Sequence, residues 1–110
     1  MLEPFFIRID VKQEKVLKRI DLMQVARLTA DKNYTTISLI DGKSYKVRIS
    51  LVNALKYFPP EIFVKTDRGK VVSIFHIDDI RKDHLIMNGK TVPIARPYYK
   101  YVVAGISIIE

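Results

Sequence analysis

The sequence predicts an all-β or β-dominated domain, and three observations carry that expectation. Apolar and polar residues alternate at period two along most of the chain. Turn pairs such as Asp41-Gly42, Arg68-Gly69 and Asn88-Gly89 interrupt the alternation at short intervals. Helical spacing of apolar residues appears only in two brief stretches, near 50–58 and after Pro97.

Taken in order, Phe5 to Val11 alternates after Pro4, and Val16 to Ile20 and Val25 to Thr29 read as the second and third strands. Asp31, Lys32 and Asn33 make a turn. Tyr34 to Ile40 (YTTISLI) is rich in β-branched and aromatic residues, and Ser44 to Arg48 answers it after Asp41-Gly42. Asp-Gly between two such runs predicts a type I′ hairpin, in which both central residues take positive φ. Ser50 is placed to cap a short helix in which Leu51, Leu55 and Phe58 share a face, and Pro59-Pro60 ends it. It carries no catalytic residue type and reads as a plug for the core.

Strands resume with Ile62 to Thr66 and, past Arg68-Gly69, with Lys70 to Ile74. The stretch leading to Ile80 reads as a solvated turn. Leu85 to Met87 and Thr91 to Ile94 flank Asn88-Gly89, a second tight hairpin. Past Arg96-Pro97, the spacing of Tyr98, Tyr101, Val102 and Gly105 predicts a short C-terminal helix with Pro in its first turn. The sum is about eight to ten short strands with one or two small helices, a pattern that fits barrels, sandwiches and OB-like folds equally.

The 110 residues are expected to form one domain, 1–110, with no receiver or membrane domain in the chain. An apolar content of 48% is enough for a core that needs no covalent staple, and the absence of cysteine excludes disulfides and cysteine-based zinc sites. The most apolar run, Tyr101 to Ile109, is about half the roughly 20 residues a spanning helix needs. Glu3, Arg8 and Asp10 break up the N-terminal apolar stretch, unlike a signal peptide. These features point to a cytoplasmic protein without a membrane partner. A formal charge of +7, from 19 Lys and Arg against 12 Asp and Glu, favours an anionic one.

No enzyme is expected. The two histidines are His76 and His84, and His76 lies near Asp78 and Asp79. On a strand His76 and Asp78 share a face while Asp79 points away, and no third ligand is evident, so no metal site is expected. No motif frames a Ser or Thr against either histidine, and the four glycines are too scattered to cradle a phosphate. No cofactor is called for.

Four stretches in order resemble the LytTR (AgrA/LytR-type) family of bacterial response-regulator output domains, which serve two-component systems. Thr29 to Ile37 (TADKNYTTI) is similar to the family's "EA-x-x-NYT-x-I" segment, and Asp41-Gly42 followed by Ser50-Leu51 has the spacing of its "DG…SL". Phe63 to Ser73 (FVKTDRGKVVS) occupies the place of "F-x-R-x-HRS-x-x-VN". Asn88 to Arg96 (NGKTVPIAR) matches "G-x-x-(I/V)PVSR", and Tyr99-Lys100 suits the family's end. The resemblance covers roughly Phe5 to Val103. It implies an elongated set of small antiparallel sheets with a short helix, and transcription regulation through double-stranded DNA. Promoter sites in tandem, with a second copy of the domain on the adjacent site, come with it.

In that family loops, not a recognition helix, enter successive major grooves. The resemblance places base reading at Asn33 and Tyr34 in the first loop, at Arg68 in the second and at Arg96 in the third. It places phosphate contacts at Lys32, Lys65, Lys70 and Lys100. The chemistry suits these roles, since Arg offers paired donors to guanine O6 and N7, and Asn makes the matching contact to adenine. Asp67, Gly69 and Ser73 depart from the family's His, Ser and Asn. The Asp67 carboxylate either orients Arg68 by a charge-assisted bond or repels phosphate. Two other readings use the same strands. One is a small protein-interaction module that has lost DNA binding. The other is an OB-like single-strand binder stacking bases on Tyr34, Tyr45 or Tyr98.

Overall fold

A computed structural model describes residues 6–10 and 17–109 of the chain. Strands β1 (Phe6–Asp10) and β2 (Leu17–Asp21) form an antiparallel pair. Phe5, Val11 and Val16, which the sequence assigns to these strands, lie outside the described residues. A 3-10 turn (Leu22–Gln24) leads into β3 (Val25–Asp31), followed by β4 (Tyr34–Leu39) and β5 (Ser44–Val47). Helix α1 (Leu51–Ala54) runs into a 3-10 turn (Leu55–Tyr57), then come β6 (Phe63–Asp67) and β7 (Lys70–Ser73). After a 3-10 turn (Ile74–His76) follow β8 (Ile77–Ile80), β9 (His84–Met87) and β10 (Lys90–Pro93). A last 3-10 turn (Arg96–Tyr98) opens helix α2 (Tyr99–Ala104).

The organising element is a five-stranded antiparallel sheet in the order β5-β4-β3-β7-β6. Its adjacent strands β3 and β7 are covered on both faces. On β7 the neighbours Val71 and Val72, each 1% exposed, belong to different cores. Val71 joins Leu28, Ile37, Phe63, Leu51 and Phe58 under α1, where Phe58 meets Phe63 edge to face. Val72 joins Leu85, Met87, Val92, Ile94 and Val102, so the three-stranded sheet β10-β9-β8 and α2 close the other face. Both helices form as the spacing predicts. The Ser50 hydroxyl accepts the Asn53 N–H at 3.3 Å, and Pro97 sits in the turn that starts α2. The domain measures 48 × 33 × 24 Å, elongated as the resemblance implied.

Two expectations need correction. The Asp41-Gly42 hairpin exists, but its turn is not type I′. The Leu39 N–H donates to the Lys43 carbonyl at 2.8 Å and the Gly42 N–H to Leu39 at 3.1 Å, so three residues make the loop. Positive φ falls on Gly42 alone, at 92°, and not on Asp41. That is the loop in which Gly supplies a bulge after an ordinary turn. Asn88-Gly89 is the true two-residue case, with φ of 51° and 73° and Met87 paired to Lys90. The stretch before Ile80 is strand β8, not a solvated turn. Pairing with β9 outweighs the poor strand propensity of its two aspartates, and a register shift between Ile77 and Asp79 takes up Asp78.

Candidate nucleic-acid interface

Two hairpin tips are brought together by the pairing of β3 with β7. The β3–β4 turn holds Lys32 and Asn33 between the paired residues Asp31 and Tyr34. The β6–β7 turn holds Arg68 and Gly69 between Asp67 and Lys70. Thr29 pairs with Lys70, and the Ala30 N–H donates to the Gly69 carbonyl at 2.8 Å. A Cβ at Gly69 would stand 3.4 Å from that of Ala30, so the second turn packs directly on the strand that feeds the first. Both tips therefore lie at one edge of the sheet.

The third segment joins through a strand defect. A register shift between Lys65 and Asp67 leaves Thr66 as the extra residue of β6, with its carbonyl released from the ladder. That carbonyl accepts the Ala95 N–H at 2.8 Å. Arg96 follows immediately, at the start of the turn into α2, and fully buried Val102 anchors that helix in the second core. The Thr66 side chain is also fully buried, and its hydroxyl has no partner among the described residues.

Lys32, Asn33, Arg68, Lys70, Arg96 and Lys100 are all exposed, and Tyr34 is 37% exposed. Among the described residues neither Arg68 nor Arg96 has an ion-pair partner, so both guanidinium groups are open to a ligand. Lys65 differs from this set. It is half-buried in the middle of β6 opposite Val71, not at the tip. Lys100 stands on α2 with its ammonium 5.2 Å from the Tyr101 ring centre. The Asp67 carboxylate bonds the Arg68 backbone and not its side chain. Its Oδ1 accepts the backbone N–H of Arg68 at 2.6 Å and so fixes the turn.

Two residues at this edge escaped the sequence reading. Lys46 on β5 lies 3.0 Å from Asp31 Oδ2 and 5.0 Å from the centre of the Tyr34 ring. It braces the base of the Lys32-Asn33 turn and occupies one face of Tyr34. Arg48 is exposed just past Val47, which pairs with Thr35, and the Thr35 hydroxyl donates to the Ile49 carbonyl at 2.8 Å. Arg48 thus emerges beside Tyr34. The three-residue loop sets this register, whereas the two-residue turn expected from the sequence would have put Arg48 opposite Thr35.

The histidines are held by separate partners. His76 Nε2 donates to the Met23 carbonyl at 2.6 Å, while Asp78 Oδ2 accepts the Asn88 N–H at 3.2 Å. His84 Nδ1 lies 2.6 Å from Asp83 Oδ1, and this hydrogen bond holds the Asp83 carboxyl below its ordinary value of 3.8. No group of three metal-ligating side chains occurs among the described residues. Nor is any helix there long and apolar enough to cross a membrane.

None of the curated proteins compared with this chain matches it. A solved LytTr DNA-binding domain from Bacillus cereus, of a protein described as a methyl-accepting/DNA response regulator, superposes with a TM-score of 0.75. The match covers 93% of this chain and 96% of that one at 21% identity, a likeness of fold. The family model described as the LytTr DNA-binding domain matches residues 15–106, and the chain belongs to that family.

Proposed function

We propose that this domain regulates transcription by binding double-stranded promoter DNA through the shared edge of its loops. The supporting observation is the pair of cross-loop backbone bonds, Ala30 to Gly69 and Ala95 to Thr66. They hold three separate loops as one surface and leave the Arg68 and Arg96 guanidinium groups unpaired. In this reading the loops enter the major groove. Arg68 and Arg96 each read a guanine and Asn33 an adenine, each bidentate contact being worth about 1–3 kcal/mol of discrimination. Lys32, Lys70, Lys100 and Arg48 clamp phosphates. Lys65 contributes little, being half-buried away from the tips. Tyr34 sets the shape of the first loop and offers its free ring face to the duplex. A second copy occupies the adjacent site where target sequences repeat in tandem.

Fluorescence anisotropy of a labelled duplex, titrated with the domain over a range of salt concentrations, tests this reading. Each neutralised phosphate adds about 0.9 to the slope of log affinity against log salt, so four clamps give a slope of about −3 to −4. Selection from a random duplex pool then yields the preferred sequence. Undetectable duplex binding at low salt, or full competition by single strands, would falsify the reading.

A further inference from the structure

We propose that the face of the five-stranded sheet turned toward β9 and β10 carries a binding groove for a small oxyanion, anchored by Arg27. Two clefts, with volumes of about 190 and 160 Å³, meet at this side chain. The first lies between β3–β4 and the β9–β10 turn, and Lys90 stands at its rim. The second lies between β3–β7 and β10, with Lys70 lining it. Three cations therefore line the groove, and no Asp or Glu does.

The backbone delivers Arg27 there by a specific device. The register shift between Val25 and Arg27 places Ala26 and Arg27 on the same side of β3, while Val25 and Leu28 remain in the opposite core. Without the shift, strict alternation would have divided Ala26 and Arg27 between the faces. Arg27 is half-buried in the middle of the sheet's central strand, across from Ser38 and Val72. No ion pair or hydrogen bond of its side chain is made among the described residues. Partly desolvating a guanidinium without a carboxylate opposes folding, and such groups are ordinarily paired.

A phosphate or carboxylate supplies the missing partner. The guanidinium fork matches the two oxygens of either group, and Ser38, Ser44, Thr29 and Thr91 around it offer hydroxyl donors. The remaining walls are apolar, from Leu39, Met87, Val92 and Pro93, and suit a short carbon skeleton carrying the anion. A duplex is far too wide for clefts of this size. The ligand class is a small phosphorylated or carboxylated metabolite.

The inference is independent of the DNA-binding reading and is tested on the DNA-free domain. An isotope-labelled sample is titrated with sodium phosphate, and separately with sodium succinate, at ionic strength held constant with chloride. The expected result is saturating amide shifts at Arg27, Ser38 and Val72 for at least one of the two anions, the responding anion identifying the class. Arg27→Gln is expected to weaken that anion about tenfold, as loss of a charge-assisted pair requires, and Arg27→Lys to recover part of it. Should Arg27→Gln disturb the fold, Lys90→Gln at the rim is expected to weaken binding about threefold with the fold intact. Shifts that never saturate, or that centre on Asn33 and Arg68, overturn the proposal. So does an affinity unchanged in the folded variants.

Discussion

The backbone N–H of Ala95 donates to the carbonyl of Thr66 at 2.8 Å, and this bond joins the segment carrying Arg96 to the hairpin carrying Arg68. The two arginines are thus held on one scaffold, each within two residues of the bond. Arg68→Ala and Arg96→Ala are each expected to cost about 1–3 kcal/mol against the preferred duplex and much less against a scrambled one. Groups on a shared scaffold couple, so the double variant should depart from the sum of the singles by at least about 0.5 kcal/mol. Anisotropy titrations of the four proteins on both duplexes measure the cycle. Equal losses on both sequences would reduce the arginines to phosphate clamps.

How much of this arrangement is legible in the sequence depends on how local its cause is. Asn88-Gly89 declares its turn because two adjacent residues tolerant of positive φ stand between alternating runs. Asp41-Gly42 has the same appearance, yet a dipeptide cannot distinguish a two-residue loop from a three-residue loop ending in Gly. Strand β8 was hidden because Asp78 and Asp79 look like turn residues, and only the partner strand overrides them. Arg68 and Arg96 are visible through family motifs. Their common mounting is not, since it depends on a bulge at Thr66 meeting a backbone amide 29 residues later in the chain (95 against 66). The placement of Arg27 likewise follows from a bulge that alternation cannot show.

Lys32 has a φ of 57° at the tip of the first loop, a conformation that costs an ordinary L-residue about 1–2 kcal/mol. Lys32→Gly removes that strain, and the greater freedom of Gly in the unfolded chain offsets part of the gain. A rise in stability of up to about 1 kcal/mol is expected in urea denaturation. On DNA the same variant should lower the magnitude of the salt slope by about 0.9, the share of one phosphate. Greater stability together with weaker binding would identify the strain as the cost of presenting a cation at the tip.

Asp83 and His84 provide a pH prediction. The His84 hydrogen bond lowers the folded-state pKa of Asp83 below its unfolded value near 3.8. Its contribution to stability is therefore fully present above that value and is lost as pH falls through the folded one. Asp83 is fully exposed, so the effect on global unfolding is small. NMR titration of its side-chain carboxyl is the suitable readout, with His84→Ala expected to return the midpoint toward 3.8. A midpoint unmoved by that substitution would remove the hydrogen bond as the cause.

Asp67 decides between repulsion and preorganisation at the second loop. A carboxylate among DNA-reading cations repels phosphate, so on charge alone Asp67→Ala should tighten binding. The structure shows Oδ1 holding the Arg68 N–H at 2.6 Å, so the same substitution also releases the turn that aims the guanidinium. A charge-assisted hydrogen bond contributes about 1.5–3 kcal/mol, more than an exposed charge pair screened by salt, typically about 0–1 kcal/mol. Preorganisation should therefore win. Asp67→Ala is expected to weaken the specific duplex, by up to about tenfold where half of that bond energy is lost. Asp67→Asn separates the two effects, because its amide oxygen still accepts the Arg68 N–H while the negative charge is gone. It should bind at least as tightly as the parent and with a steeper salt dependence. Equal tightening by Asp67→Ala and Asp67→Asn would mean that the carboxylate acts only through its charge.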